Sequence, residues 1–192
     1  MSNVKKKSAL REWAEAAVIG FILAMFVRTF FIQAFKIPTG SMKPTLVPGD
    51  RILVEKITYG PLVPFTKIRI PGIRKPRRGE VIVFLEPQNK KKDFVKRLIA
   101  FGGERVLVNK GRIYVNGMPL MDPRIANHYY YNEGPYAQEG EEIVVPEGYL
   151  FVLGDNSASS YDSRYWGFVP EENVIGRAFV IYWPPQRIKL IR

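Results

Sequence analysis

A single serine, Ser41, sits in the stretch "IPTGSMKPTL" (37–46), between Gly40 and Met42 and bracketed by Pro38 and Pro44. A serine hydroxyl becomes a nucleophile near neutral pH only beside a base. The chain has one histidine, His128, in "NHYYYNEG", and nothing around it marks a catalytic role, so surface or packing is the plainer reading. The S-x-x-K arrangement fails because Lys43 lies at i+2 and no Lys-Thr-Gly follows, and G-x-S-x-G fails because Lys43 stands where the second glycine belongs. What remains is a distant lysine. Lys96 lies in "DFVKRLIAF" (93–101), where strand alternation sets Phe94, Lys96, Leu98 and Ala100 on one largely apolar face. A free lysine has a pKa of about 10.4, so about 1 in 2,500 is neutral at pH 7. Bringing it to about 8 leaves about a tenth neutral and costs about 3.3 kcal/mol, within reach of burial. A lysine whose stem packs and whose ammonium reaches water stays an open alternative. With no cysteine and one histidine, disulfides, thiolate metal sites and multi-histidine sites are excluded, and neither metal nor cofactor is expected.

These residues need elements to hold them. Ala16–Phe35 is a 20-residue apolar run with one charge, Arg28. At about 1.5 Å per residue it matches the roughly 30 Å of a bilayer core, and it is too long for the h-region of a cleaved signal. A transmembrane helix over 16–35 is expected, with Arg28 snorkelling to the far interface. Lys5, Lys6, Lys7 and Arg11 precede it, which favours a cytoplasmic N-terminal segment (1–15) and an exported domain (36–192) at the cell membrane. The formal charge is +11 at pH 7, and residues 36–192 keep +8 of it. A basic domain tethered to a bilayer is drawn to anionic phospholipid. No helix-turn-helix or zinc-knuckle pattern supports nucleic acid as a partner.

The rest reads as mainly antiparallel β, a folded sheet or partial barrel. Strand-like runs occupy 50–57, 80–85, 94–101, 104–108, 112–117, 142–145, 149–154 and 178–183. "NKG" (109–111) and Asn116–Gly117 are hairpin signals. Residues 59–79 mix four prolines with apolar and basic residues. They are either a surface loop or a membrane-facing lip, with Leu62, Val63 and Phe65 dipping in and Arg69, Arg74, Lys75, Arg77 and Arg78 at phosphates. Residues 122–142 take no assignment.

Taken together, "FKIPTGSMKPTL", "GDRILVEK", "RGEVIVF", "DFVKRLIAFGGE" and "GDNSASSYDSRYWGFVP" resemble, in order and spacing, the successive boxes of bacterial type I signal peptidases. That family removes signal peptides from exported preproteins with a Ser/Lys dyad and no cofactor. The resemblance implies Ser41 as nucleophile and Lys96 as general base. It implies Thr39 beside the Ser41 backbone N–H in the oxyanion hole, Ser160 orienting the lysine, and Asp155, Asp162 and Arg164 bracing the site. Ile37, Pro38, Met42, Ile52, Val83, Phe94 and Val95 would wall the small pockets for the −1 and −3 side chains. "SAS" (157–159) stands where many members carry Arg-Asp-Asn, with the spacing to Ser160 kept. The implied partners are preprotein signal peptides, the membrane and the protein-export machinery. Two alternatives stand beside this reading. One is a self-cleaving Ser/Lys protease of the repressor type, whose DNA-binding domain is missing here. The other is a non-catalytic anchored adaptor that binds exported chains by strand addition.

Overall fold

A computed structural model describes residues 9–63, 66 and 68–191. Lys5, Lys6 and Lys7, read above as setting the orientation of the span, and Phe65, read as part of a membrane-facing lip, lie outside the described residues.

Helix α1 (Ala9–Phe30) has 22 residues, none of them buried. It is apolar on all sides, with Val18, Ile19, Phe21, Ile22, Leu23, Met25 and Phe26 exposed. A helix with no buried residue, and apolar on every face beyond its first turns, needs lipid to cover it. Its length of about 33 Å suffices to cross a bilayer. The expected span of 16–35 is corrected at both ends. The helix starts earlier and stops at Phe30, which puts Arg28 in its last turn. Ile32–Lys36 instead forms strand β1, because "IQAFK" finds a backbone partner across the sheet.

Eleven further strands follow: β2 (Arg51–Glu55), β3 (Val81–Leu85), β4 (Asp93–Phe101), β5 (Arg105–Asn109), β6 (Arg112–Val115), β7 (Met118–Pro119), β8 (Ile143–Val144), β9 (Tyr149–Leu153), β10 (Val169–Pro170), β11 (Val174–Trp183) and β12 (Lys189–Leu190). All pairings are antiparallel. The larger sheet runs β1-β2-β11-β3-β4-β9-β10, with β12 on β11, and the smaller runs β7-β6-β5-β8. β11 pairs with β3 through its first half and β2 through its second, with bulges along the way, so the large sheet curls. Both hairpin signals act as two-residue turns, since Lys110–Gly111 and Asn116–Gly117 all take positive φ.

Both faces of the large sheet are covered. On β3, Val81 and Val83 join a cluster with Ile37, Met42, Leu46 and Ile52, while Ile82 and Phe84 join Leu98, Val152 and Trp166. On β4 a bulge between Leu98 and Ala100 breaks the alternation. Ala100 therefore packs with Ile99 against the small sheet and not on the face of Leu98, contrary to simple period-two reading.

Between β2 and β3, the described residues of 59–79 fold back on themselves, with Leu62 bridged to Arg69. Arg69 donates to the carbonyls of Gly60, Glu172 and Val174, Arg74 pairs with Glu80, and Arg78 pairs with Glu104. Those three guanidinium groups spend hydrogen bonds within the protein, which fits the surface-loop reading of this segment. The apolar side chains Leu62, Ile68, Ile70 and Ile73 are exposed.

Candidate active site

Ser41 lies in the turn that follows β1. Met42 and Leu46 are fully buried and hold the turn to the core, and the Leu46 N–H donates to the Met42 carbonyl at 2.9 Å. From the opposite side Asn156 grips it twice. Its side-chain amide donates to the Gly40 carbonyl (3.1 Å) and its backbone N–H to the Ser41 carbonyl (3.0 Å). Gly154 permits this approach, because a Cβ there would sit 2.5 Å from the Ser41 oxygen and 2.2 Å from Ser160 Oγ.

Lys96 lies on β4 opposite Ile82. Its Nζ donates to Ser41 Oγ at 2.8 Å, and the two residues are only 5% and 8% exposed. Burial lowers the lysine pKa from its ordinary range to about 8. Asp162 and Asp155 pull it back up by Coulomb attraction and Arg164 pushes it down. Desolvation wins because the carboxylates spend their hydrogen bonds elsewhere. Asp155 takes a bidentate pair from Arg97 (2.7 and 2.6 Å) and a bond from Thr45 Oγ1. Asp162 takes Arg164 through Nε (2.8 Å) and the Gly154 N–H (3.0 Å), and caps helix α2 (Ser163–Trp166). The Asp155, Asp162 and Arg164 positions expected to brace the site are thus wholly buried or nearly so and fully engaged.

The dyad opens on a cleft of about 550 Å³. Phe35–Thr39 form one wall and Lys92–Lys96 the other, with Met42 below and Ser159 and Tyr161 at the mouth. Ile37, Pro38, Met42, Phe94 and Val95 line it, and so do Thr39 and Ser41. Ile52 and Val83 do not line it. Both are 0% exposed and pack behind Ile37 and Met42, so they shape the wall from the core side without meeting a ligand. Ser160 does not bond to Lys96 in this arrangement. Its hydroxyl is buried without a hydrogen-bond partner, and Lys96 bonds to Ser41 instead. His128 does not line the cleft, and its Nε2 lies 3.7 Å from Asp155 Oδ2. Among the described residues no group of three or more His, Cys, Asp or Glu gathers to hold a metal.

Residues 122–142 brace the last box. The Tyr131 carbonyl accepts from Arg164, the Tyr131 N–H donates to Ser157 Oγ, and Glu133 accepts from the Tyr165 hydroxyl. Ser157, where many family members would carry arginine, also accepts from Arg164 through Oγ at 2.7 Å. Reading the sequence missed Arg97, Asn156 and Gly154. A second cation beside Lys96 in an apolar strand was the signal for Arg97, whereas nothing local marks Asn156 or Gly154.

The family model described as signal peptidase, peptidase S26 matches residues 10–183. A probable signal peptidase I-2 of Synechocystis sp. is 41% identical over 197 residues, covering 97% of this chain and 82% of that protein. A signal peptidase I of Leptolyngbya laminosa is 40% identical over 194 residues, covering 97% and 86%. A crystal structure of a signal peptidase I from Enterococcus faecalis V583 gives a TM-score of 0.45 at 34% identity, covering 55% of this chain and 98% of that one.

Proposed function

The chain belongs to the signal peptidase family, peptidase S26, and from that membership we propose the residue roles by which it removes signal peptides from preproteins. Ser41 is the nucleophile and Lys96 the general base. The observation that carries this is their 2.8 Å contact, closed off from water, with the lysine pKa lowered to about 8. At pH 7 about a tenth of such lysines are neutral, compared with roughly one in several thousand at the ordinary value.

Neutral Lys96 takes the Ser41 proton as Oγ attacks the scissile carbonyl. The Ser41 N–H and the Thr39 hydroxyl receive the oxyanion. The Lys96 ammonium returns the proton to the departing amine of the mature chain, which leaves an acyl-enzyme on Ser41. A water deprotonated by Lys96 then releases the signal peptide. Ser160, whose buried hydroxyl has no other bond, is the second hydroxyl available to Lys96 when the substrate draws Ser41 away.

Substrate enters extended. β1 is an edge strand, and Asp93–Lys96 of β4 precede the stretch that pairs with β9, so both cleft walls present backbone groups to an added strand. Ile37, Pro38, Met42, Phe94 and Val95 leave room for small −1 and −3 side chains only.

Helix α1 crosses the membrane with the N-terminus cytoplasmic, which puts the catalytic domain on the exported face. Exposed Leu62, Ile68, Ile70 and Ile73 rest on the same surface, since Leu62 and Arg69 share a hollow with Met25 and Arg28 of the helix end. A preprotein leaving the export machinery through the bilayer would meet the cleft at the membrane surface. The adaptor reading is not supported, because both dyad members are present and in contact.

The test is single-turnover cleavage of a preprotein in vesicles by Ser41→Ala, Lys96→Ala and His128→Ala. The first two should be inactive and folded, and the third should be close to wild type. A Lys96→Ala protein that keeps its rate while His128→Ala loses it would replace the Ser/Lys assignment with a Ser/His one.

A further inference from the structure

Lys56 lies at the end of the β2 hydrogen-bonding run, half-buried, and plays no part in the chemistry above. Its Nζ donates to the carbonyls of Arg28 (3.1 Å) and Thr29 (3.3 Å), and its backbone N–H donates to the Phe31 carbonyl at 2.9 Å. These are carbonyls at the C-terminal end of α1, which has no partner for them within the helix. The Phe31 N–H takes the preceding one, Val27. A cation here also meets the negative end of the helix dipole. Arg28 repels Lys56 and Asp93, which lines the cleft, attracts it.

The connection from this helix end to the cleft is short and stiff. One residue, Phe31, separates α1 from β1. β1 is paired with β2 in unbroken register from Ile32↔Glu55 to Lys36↔Arg51, and it runs straight into Phe35, Ile37 and Thr39 of the cleft wall and on to Ser41. The five residues of β1 rise by about 17 Å. The joint at Phe31 is the place where the helix could swing relative to the sheet, and Lys56 bridges it.

We propose that Lys56 is a positioning residue that locks the tilt of the membrane helix to the catalytic sheet, and so fixes the height and aim of the Ser41 cleft over the bilayer. The proposal rests on the reading of α1 as a membrane anchor and of Ser41 as the nucleophile. A soluble peptide finds the cleft from solution at any tilt. A preprotein held in the bilayer offers its scissile bond at one depth, so only that substrate depends on the lock.

The experiment uses the full chain in phospholipid vesicles, as wild type, Lys56→Met and Lys56→Arg, against two substrates. One is a short soluble peptide spanning a cleavage site and the other is the matching membrane-inserted preprotein. Lys56→Met should cleave the peptide at the wild-type rate and lose about tenfold or more on the preprotein, since it gives up both hydrogen bonds of the charged donor, each worth about that much. Lys56→Arg should recover most of the loss. In parallel, because the chain has no cysteine, spin labels at Leu23→Cys and Lys110→Cys can report the helix-to-sheet distance. That distribution should be narrow in the wild type and broad in Lys56→Met. Equal losses on both substrates, no loss on either, or an unchanged distance distribution would overturn the proposal. Failure of the wild type itself on both substrates would strike at the nucleophile assignment, while the distance measurement would still judge the lock.

Discussion

The Lys96 titration gives the sharpest test of the site. With a pKa of about 8, the neutral fraction climbs from about 1% at pH 6 to about one half at pH 8, a rise of about 50-fold, and then gains less than twofold more. An unshifted lysine would keep adding about tenfold per unit to pH 10. Measuring kcat/KM for a soluble cleavage-site peptide from pH 5.5 to 10 separates the two. The same shift has a second signature, in stability and at higher pH. Between about 8 and 10.5 the unfolded lysine holds a proton that the folded one has lost, so folding stability rises with pH across that window. Below about 8 both forms are protonated and the full penalty stands. At 1.36 kcal/mol per unit it amounts to about 3 kcal/mol. Lys96→Met should lack this rise, and the difference between wild type and variant in urea unfolding at pH 7 and pH 10 isolates it from other titrating groups. A rate profile that levels off below pH 7 and moves on His128→Ala, or a wild-type stability difference identical to that of the variant, would refute the argument.

Lys96→Arg should be as inactive as Lys96→Ala in peptide cleavage, because a guanidinium stays protonated at any workable pH. Thr39→Val should cost about 10²–10³ in kcat with little change in unfolding midpoint, as expected for one oxyanion donor. Arg97→Met strands the buried Asp155 carboxylate and should lower unfolding free energy by about 3–5 kcal/mol in denaturant titration. Gly154→Ala forces a Cβ against the Ser41 carbonyl, so it should abolish cleavage; wild-type turnover by that variant would show that the turn need not sit where it does.

How much of this was legible beforehand varies by element. The runs that became β2 to β6, β9 and much of β11 announced themselves through β-branched and aromatic residues broken by Gly, Asn and Pro, because strand pleating and turn geometry act over a few neighbours. The apolar helix was legible for the same reason, since a bilayer reads only local hydropathy and length. Its C-terminal end was not. Ile32–Phe35 continues the uncharged run of the helix before it, and only the edge offered by β2 makes it a strand. The two-residue strands β7, β10 and β12 carry no pattern long enough to detect.

At the site, sequence established that Ser41 lacked a nearby base and that Lys96 was a cation in an apolar strand. Residue types alone left that lysine's role open, and family resemblance supplied the pairing. Folding brings the two together across 55 positions of chain, and it decides the chemistry by burying Lys96 while Arg97, Thr45 and Arg164 occupy the carboxylates that would otherwise restore its proton affinity. It also moved Ile52 and Val83 behind the wall, left Ser160 without a partner, and recruited Asn156 and Gly154 to hold the Ser41 turn. These are matters of burial and competition for hydrogen bonds among residues remote in sequence. No local pattern encodes them, because the free energy of a charge depends on everything that surrounds it in three dimensions.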